Sequence, residues 1–365
     1  MKLIAAPKPM RPALLGGILL AALAACADQP AKGPAPTASA PVAATTAPAQ
    51  AAAAPAVQGA SFEAWLQGVR QDAAARGVSG ATLDQALAGI EPDQKVLDLD
   101  RRQPEFTITF AQYSAKTVTR QRIDQGRKLL EEYRPLLDKI GAQYGVQPAF
   151  IVALWGVESD YGRFTGGYSV IASLATLAYG SERKDFFRGE LFAALTILEQ
   201  KNIAPADMTG SWAGAMGQCQ FMPSSYLKYA VDYTGDGRRD IWTDQGDVFA
   251  SIANYLASSG WRPDLGWGRP VRLPPTLAES YIGWKNDRAL GEWQRLGLRN
   301  PDGSNLPSSD EPMALVAPDG PMGPAWLTYS NYKVIMQWNR STYFATSVGL
   351  LADGISSGTL AALAK

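Results

Sequence analysis

Glu158 is the residue of this sequence whose type and position best suit acid/base chemistry. It lies in the stretch PAFIVALWGVESDYGR, residues 148–163, where Pro148 suits the first position of a helix and Gly162 suits its end. Apolar residues at i, i+3 and i+4 predict one buried helix face, formed by Ile151, Leu154 and Trp155. Glu158 continues that face at i+7.

A glutamate on a buried face near a helix C-terminus is expected to have a raised pKa. It loses solvation, and it faces the negative end of the helix dipole. A carboxyl group with such a pKa stays protonated near neutral pH and can donate a proton. The alternative is a structural ion pair between Glu158 and a buried Arg or Lys. The helix alone leaves both interpretations open.

The composition narrows the chemistry that this chain can perform. Lys and Arg together number 34, as do Asp and Glu, so no net field favours a nucleic acid partner. Histidine is absent, which excludes Ser-His-Asp triads, Cys-His pairs and histidine-ligated zinc. Carboxylates, tyrosines and backbone groups remain as candidates. The length of 365 residues suggests two or three domains.

The N-terminal segment, residues 1–25, has the layout of a secretory signal peptide: basic residues precede an apolar run that is too short for a permanent membrane span. The run ends in Leu-Ala-Ala-Cys, which resembles the lipobox of bacterial lipoproteins and implies lipidation of Cys26. Ala27 follows instead of an inner-membrane retention aspartate, so the resemblance favours the periplasmic side of the outer membrane. The alternative is an ordinary signal peptide with a chance cysteine.

Residues 26–60 are almost all Ala, Pro, Thr and Gln and predict a disordered tether. Once Cys26 is lipidated, Cys219 is the one remaining thiol, so no intramolecular disulfide is available.

Residues 61–143 predict an N-terminal α domain. Ser61 is a plausible N-cap, and a long amphipathic pattern over residues 118–144 predicts helix with a break at Pro135. Residues 104–113 are compatible with either strand or helix, because apolar residues alternate between helical flanks.

Residues 144–260 predict a helical core that contains two loops of interest. The first loop, residues 211–226, is rich in glycine with polar residues beside aromatics, which is typical of a loop lining a cleft. A connector without a function is the alternative.

The second loop, DYTGDGRRDIWTDQGD (residues 232–247), matches the opening of an EF-hand calcium loop. Its predicted ligands are the side chains of Asp232, Thr234 and Asp236 and the backbone carbonyl of Arg238. Thr243 stands where the closing glutamate is expected, so Asp247 would close a longer loop or cap the following helix. A structural calcium ion is the prediction; a plain Asp/Gly turn and a magnesium or sodium ion stay open.

Residues 261–329 change to Pro, Gly and short apolar runs, which predicts a small β-rich domain. Residues 330–365 return to a helical pattern.

With these motifs assembled, the chain resembles the membrane-bound lytic murein transglycosylase B family over nearly everything after the tether. The resemblance rests on several long motifs in the same order: WGVESDYGR (155–163), GAMGQCQFMPSSY (214–226), the Asp232 loop with ANY at 253–255, and NRSTYF at 339–344.

The resemblance implies a mainly α protein with a lysozyme-like helical core, an N-terminal α domain and a small β insertion. It implies cleavage of the β-1,4 bond between N-acetylmuramic acid and N-acetylglucosamine in peptidoglycan strands, with Glu158 as the sole acid/base and a 1,6-anhydromuramyl product. It implies no organic cofactor. The membrane is reached through lipidated Cys26, and cell-wall synthesis proteins are candidate partners.

The resemblance also implies a set of groove residues that bind sugar through aromatic rings or amides. They are Tyr113, Ser211, Gln220, Tyr255, Asn339 and Tyr343. Tyr255 could instead be ordinary core. The sequence departs from the family pattern at Gln218–Cys219 and at Trp338, which stands in place of a tyrosine.

Two other functions fit the same motifs. One is a non-catalytic murein-binding lipoprotein, against which the intact Glu158 motif argues. The other is a lysozyme-type hydrolase that uses water instead of the substrate's own hydroxyl.

Overall fold

The computed structural model describes residues 61–101 and 108–358, and this part of the chain is built mainly from helices. The helices, in chain order, are α1 Phe62–Ala75, α2 Gly80–Leu87, α3 Gln94–Arg101, α4 Phe110–Thr117, α5 Arg120–Glu132, α6 Arg134–Tyr144, α7 Pro148–Ser159, α8 Val170–Gly180, α9 Lys184–Glu199, α10 Pro223–Tyr229, α11 Gln245–Ser258, α12 Leu290–Arg295, α13 Ser330–Trp338 and α14 Thr342–Ser357. Short strands form two sheets: β1 Tyr168–Ser169, β2 Thr209–Gly210, β3 Gly268–Val271, β4 Asp287–Arg288, β5 Met313–Val316 and β6 Ala325–Thr328. The predicted mainly α fold with a small β component is confirmed.

Two predicted features of the N-terminal helices are present. The Oγ of Ser61 accepts a hydrogen bond of 3.2 Å from the amide of Ala64, so Ser61 caps α1. The amphipathic pattern breaks at Tyr133, and Pro135 lies in the first turn of α6. Proline is tolerated there because the first N–H groups of a helix lack intrahelical partners.

The segment 104–113, which the sequence left open between strand and helix, is helical from Phe110 onwards. Thr109 and Gln112 form a complete capping box, in which each side chain accepts a hydrogen bond from the other residue's backbone amide. Residues 102–107 lie outside the described residues.

Helix α7 lies at the centre of the main core. Residues 149–156 are all buried, and α5, α6, α11 and α14 pack around them. The predicted buried face of Ile151, Leu154 and Trp155 is confirmed, and burial extends to the other sides of the helix because apolar and small residues occupy them as well. Each large apolar side chain that is fully buried contributes about 1.5–3 kcal/mol, so α7 is firmly anchored. Val157 and Glu158 in the last turn are partly exposed.

The two-stranded sheet holds the turn that follows α7 in place. Strand β1 pairs antiparallel with β2. Gly166, in the turn just before β1, has φ +92°, and a Cβ there would lie 2.0 Å from the carbonyl oxygen of Gly210. The backbones approach so closely that only glycine fits at this position.

The second sheet has the antiparallel order β3-β6-β5-β4 and separates two hydrophobic clusters. Alternate residues of β6 point to opposite faces, as strand geometry requires. Ala325 and Leu327 pack with Trp293 of α12 in a small cluster, whereas Trp326 belongs to the main core. This two-sided burial explains why β5 is apolar throughout and why β6 is apolar up to Leu327.

The segment between β5 and β6 is attached to α4. The carboxylate of Asp319 accepts hydrogen bonds from the backbone amides of Phe110, at 2.6 Å, and Ala111, at 3.0 Å. A carboxylate at a helix N-terminus satisfies orphan N–H groups and complements the helix dipole. The rings of Phe110 and Trp326 meet edge to face at 5.8 Å.

The predicted signal peptide (1–25), the lipidated Cys26 and the tether (26–60) lie outside the described residues. Within residues 61–101 and 108–358, no single helix is long and apolar enough to cross a membrane. Helices α6 and α7 meet that test only as a pair bent by 108°. The domain boundaries remain predictions; the four-stranded sheet falls inside 261–329.

Candidate active site

Glu158 lies in the last turn of α7, at the start of an uncommon chain reversal. The helix ends at Ser159, three residues before the predicted stop, because Asp160, Tyr161 and Gly162 all adopt left-handed conformations with φ of 51°, 63° and 80°. Such backbone is unfavourable for non-glycine residues. Arg122 offsets the cost: its guanidinium pairs with Asp160 at 3.1 Å, and its carbonyl accepts the Tyr161 hydroxyl at 2.7 Å.

The carboxyl group of Glu158 is desolvated although its side chain keeps partial exposure. Burial raises the pKa of Glu158 from 4.5 to about 8, and a hydrogen bond from Trp338 works in the opposite direction. Among the described residues, no Arg or Lys forms an ion pair with Glu158, so a structural ion pair does not account for its position. The predicted raised pKa is present, and its main cause is desolvation.

Trp338 is the contact that the sequence analysis missed. Its indole N–H donates to Oε1 of Glu158 at 2.6 Å. The sequence showed Trp338 only as a departure from the family pattern, and no periodicity relates residues 180 positions apart. Asn339 follows it in extended conformation, and its Oδ1 accepts from the amide of Ser341 at 3.0 Å. Asn339 is buried and joins the end of α13 to the start of α14.

Tyr255 belongs to an aromatic cluster beside Glu158. Its ring centroid lies 4.6 Å from that of Trp338 and 4.4 Å from that of Tyr229, and Phe221 lies 5.1 Å from Trp338. Tyr255 is 7% exposed, and burial raises the pKa of its hydroxyl. Its main contacts are therefore with other aromatic rings, as the core alternative for Tyr255 expected.

Tyr113 and Tyr343 form a second aromatic group, with ring centroids 5.7 Å apart. Tyr113 is buried, whereas Tyr343 is partly exposed. The ring of Tyr343 also meets Phe110 at 5.5 Å, and its hydroxyl lies 3.5 Å from Oδ1 of Asp319. The structure thus brings a predicted groove tyrosine into contact with the segment between β5 and β6.

Ser211 and Gln220 shape the loop of residues 211–226. Ser211 is fully buried, and its Oγ accepts from the amide of Ala215 at 3.0 Å. Gln220 is partly exposed with φ 49°, and its Nε2 donates to the carbonyls of Thr165, at 3.0 Å, and Gly217, at 2.9 Å. Gln220 therefore joins the glycine-rich turn after α7 to this loop, and the amide oxygen has no partner among the described residues.

A family model described as the transglycosylase SLT domain matches residues 61–353. The chain belongs to the transglycosylase SLT family. It is 32% identical over 256 residues to membrane-bound lytic murein transglycosylase B of Escherichia coli strain K12, covering 68% of this chain and 67% of the relative. The predicted family and enzyme class, a lytic transglycosylase, are confirmed.

Solved structures support the same assignment. SltB3 from Pseudomonas aeruginosa, solved in complex with NAG-anhNAM-pentapeptide, is 44% identical with a TM-score of 0.79, covering 82% of this chain and 80% of that one. The Escherichia coli lytic transglycosylase Slt35, solved in complex with calcium, is 28% identical with a TM-score of 0.70, covering 80% and 93%.

In this transglycosylase the predicted metal ligands do not form a ligand group. Among the described residues, no three acidic, histidine or cysteine side chains lie close enough together to hold a metal ion. The carboxylate of Asp232 accepts the amides of Gly235 and Gly237, at 2.6 and 2.8 Å. The carboxylate of Asp236 accepts the amide and guanidinium of Arg238.

The carboxylate of Asp247 also accepts hydrogen bonds from backbone amides. It is buried in α11, and its two oxygens accept the amides of Tyr233 and Asp240, each at 2.7 Å. Thr234 also points its amide at Asp247, at 3.4 Å. The carboxylates organise the backbone of the loop, as the Asp/Gly turn alternative expected. The binding of an ion by these residues stays a prediction.

Proposed function

We propose that this transglycosylase cleaves the β-1,4 bond between N-acetylmuramic acid and N-acetylglucosamine of peptidoglycan and leaves a 1,6-anhydromuramyl end. The observation that carries the proposal is the environment of Glu158: a desolvated carboxyl without an ion-pair partner and with a pKa of about 8. The relative SltB3, solved with NAG-anhNAM-pentapeptide, supports the same substrate class.

The chemistry follows from one carboxyl group that serves twice. Protonated Glu158 gives its proton to the glycosidic oxygen, and the bond from that oxygen to C1 of the muramyl sugar breaks. The muramyl 6-hydroxyl oxygen then forms a bond to C1, and its proton passes to the Glu158 carboxylate, which restores the acid. A pKa near neutrality suits both roles.

A single carboxylate sets this reaction apart from most glycosidases, which use two. The pKa of Glu158 is governed by burial and by Trp338, with no contribution from a second carboxylate. We propose that the substrate's own hydroxyl supplies the nucleophile that a second residue would otherwise activate.

The groove residues divide into two proposed roles. Gln220 and Tyr343, which are partly exposed, are proposed to contact sugar through an amide oxygen and an aromatic face. The remaining four predicted groove residues are buried, and we propose that they shape the walls of the groove. They are Tyr113, Ser211, Tyr255 and Asn339.

Mass spectrometry of the muropeptides released by the purified soluble domain tests the proposal. We expect anhydromuramyl ends, and Glu158→Gln should lower their release by about a thousandfold or more with an unchanged circular dichroism spectrum. Glu182→Gln, at an exposed position, is the matched control and should keep activity. Reducing ends would indicate a hydrolase, and binding without release would indicate a murein-binding scaffold.

For its location, we propose that the enzyme is lipid-anchored through Cys26 on the periplasmic side of the outer membrane. The lipobox-like sequence and the membrane-bound relative support an envelope location. Cell-wall synthesis proteins are the proposed partners.

We also propose that the loop of residues 232–247 binds a structural calcium ion. The spacing of Asp232, Thr234 and Asp236 and the calcium complex of Slt35 support this proposal. The carboxylates of Asp232, Asp236 and Asp247 accept backbone amides and keep further lone pairs, so binding requires these side chains to converge. No catalytic step depends on the ion.

A further inference from the structure

The hydrogen bond between Trp338 and Glu158 has chemical consequences beyond holding two side chains together. We propose that Trp338 is a positioning residue that decides which oxygen of Glu158 carries the catalytic proton, an inference that rests on the proposed role of Glu158. The indole nitrogen lies 2.6 Å from Oε1.

An indole N–H can only donate a hydrogen bond. The carbonyl oxygen of a carboxylic acid is a stronger acceptor than its hydroxyl oxygen, so a proton on Oε1 of Glu158 would weaken the hydrogen bond from Trp338. The protonated acid therefore keeps Oε1 as the acceptor and carries its proton on Oε2. A phenol hydroxyl at this position could rotate and accept, and it would leave both oxygens available.

The Trp338 ring is held in one orientation by its surroundings. Phe221 and Tyr255 pack against it, at centroid distances of 5.1 and 4.6 Å, and both are almost fully buried. Helix α13 ends at Trp338 because Asn339 is extended. The donor is thus fixed by aromatic packing and by the backbone, before any substrate binds.

The charged and titratable groups around Glu158 do not compete with this bond. Asp160, two residues along the chain, is paired with Arg122 at 3.1 Å and with Arg163. Burial raises the pKa of the Cys219 thiol well above its usual value, and the charges of Glu158 and of Asp247 in α11 raise it further, so the thiol stays neutral. Trp338 remains the one hydrogen-bonding partner of Glu158 among the described residues.

The reaction then has a defined proton path. The Oε2–H bond breaks as the glycosidic oxygen takes the proton, and the same Oε2 takes the proton of the muramyl 6-hydroxyl in the second step. Throughout, the indole N–H stabilises the charge that develops on the carboxylate. Without it, both oxygens compete for the proton and the carboxylate is less stable.

The experiment compares Trp338→Phe with the wild-type enzyme over a range of pH. We expect kcat to fall about 10- to 100-fold, KM to change less, and the basic limb of the kcat/KM profile to move up by about one pH unit. Trp261→Phe is the matched control. This variant also loses an indole hydrogen bond, the one of 2.8 Å from Trp261 to Gln147. It should leave the basic limb of the kcat/KM profile unchanged.

A second readout separates this inference from the proposed function. The infrared spectrum of the Glu158→Gln variant is subtracted from that of the enzyme, and the difference reports the protonated carboxyl of Glu158 without turnover. In Trp338→Phe, this carboxyl should lose its proton at a higher pH than in the wild-type enzyme. If that variant fails to fold, benzothienylalanine at position 338 replaces the N–H by sulfur and keeps the packing. An unshifted titration, or an equal shift in Trp261→Phe, would overturn the inference. A wild-type enzyme that releases no anhydro ends would overturn the function while the infrared titration still decides the role of Trp338.

Discussion

Trp155 donates its indole N–H to Oε1 of Gln218 at 2.8 Å, which links the helix that carries Glu158 to the loop of residues 211–226. The Nε2 of Gln218 donates to the carbonyl of Trp242 at 2.8 Å, and Gln245 donates to the same Oε1 at 3.2 Å. Gln218 therefore connects α7, the loop of residues 232–247 and α11, although the sequence showed it only as a departure from the family pattern.

Replacing this amide should destabilise the protein. In Gln218→Leu, the N–H of Trp155 and the carbonyl of Trp242 lose their partners in a buried site, and each unsatisfied group costs about 1–3 kcal/mol. We expect the free energy of unfolding to fall by about 2–4 kcal/mol in denaturant titrations. Gln337→Leu, at an exposed position, is the control and should change it by less than about 0.5 kcal/mol. Equal losses in both variants would contradict the linking role.

The pKa of Glu158 also predicts how stability depends on pH. A carboxyl pKa raised from 4.5 to about 8 means that the folded state holds the proton more tightly than the unfolded state. Unfolding is then accompanied by proton release between these pH values, so the contribution of Glu158 to stability decreases as pH rises from about 4.5 to about 8 and is constant above.

Glu158→Gln cannot titrate and should lack this dependence. Between pH 5 and pH 8, the free energy of unfolding of the variant should rise relative to that of the wild type by on the order of 2 kcal/mol. The full pKa shift would correspond to about 5 kcal/mol, and the change is smaller because the side chain keeps some contact with water. Denaturant titrations at a series of pH values measure the difference. A constant difference across the series would mean that Glu158 titrates normally.

Calcium removal tests the loop of residues 232–247. If the ion binds, millimolar calcium should raise the melting temperature by a few degrees over a chelator-treated sample, since a ligand at 100 times its Kd stabilises by about 2.7 kcal/mol. Asp236→Asn should abolish the rise, and the exposure of Asp236 makes the substitution itself mild. Identical melting curves with calcium and with chelator would leave the loop as an Asp/Gly turn.

Local features of the chain were predictable because their physics is local. The cap at Ser61 and the helix break beside Pro135 depend on residues within a few positions of one another. The motifs around Glu158 and in the loop of residues 211–226 also identified the family, since they occur in order along the sequence.

Other features of the fold depend on partners that are distant in the sequence. The pattern of α7 predicted a buried face, and the helices packed around α7 bury its other residues as well. The spacing of Asp232 and Asp236 predicts an ion site, and only the folded loop shows that backbone amides also reach these carboxylates and Asp247.

The sequence by itself determined the family and the helix that carries Glu158, the proposed acid. Only the tertiary structure decided how that acid is prepared for chemistry. Desolvation of Glu158 requires the core to close around α7, and its hydrogen bond comes from Trp338 at the end of α13. Burial and long-range hydrogen bonds depend on which segments meet in space, and neither periodicity nor composition encodes that pairing.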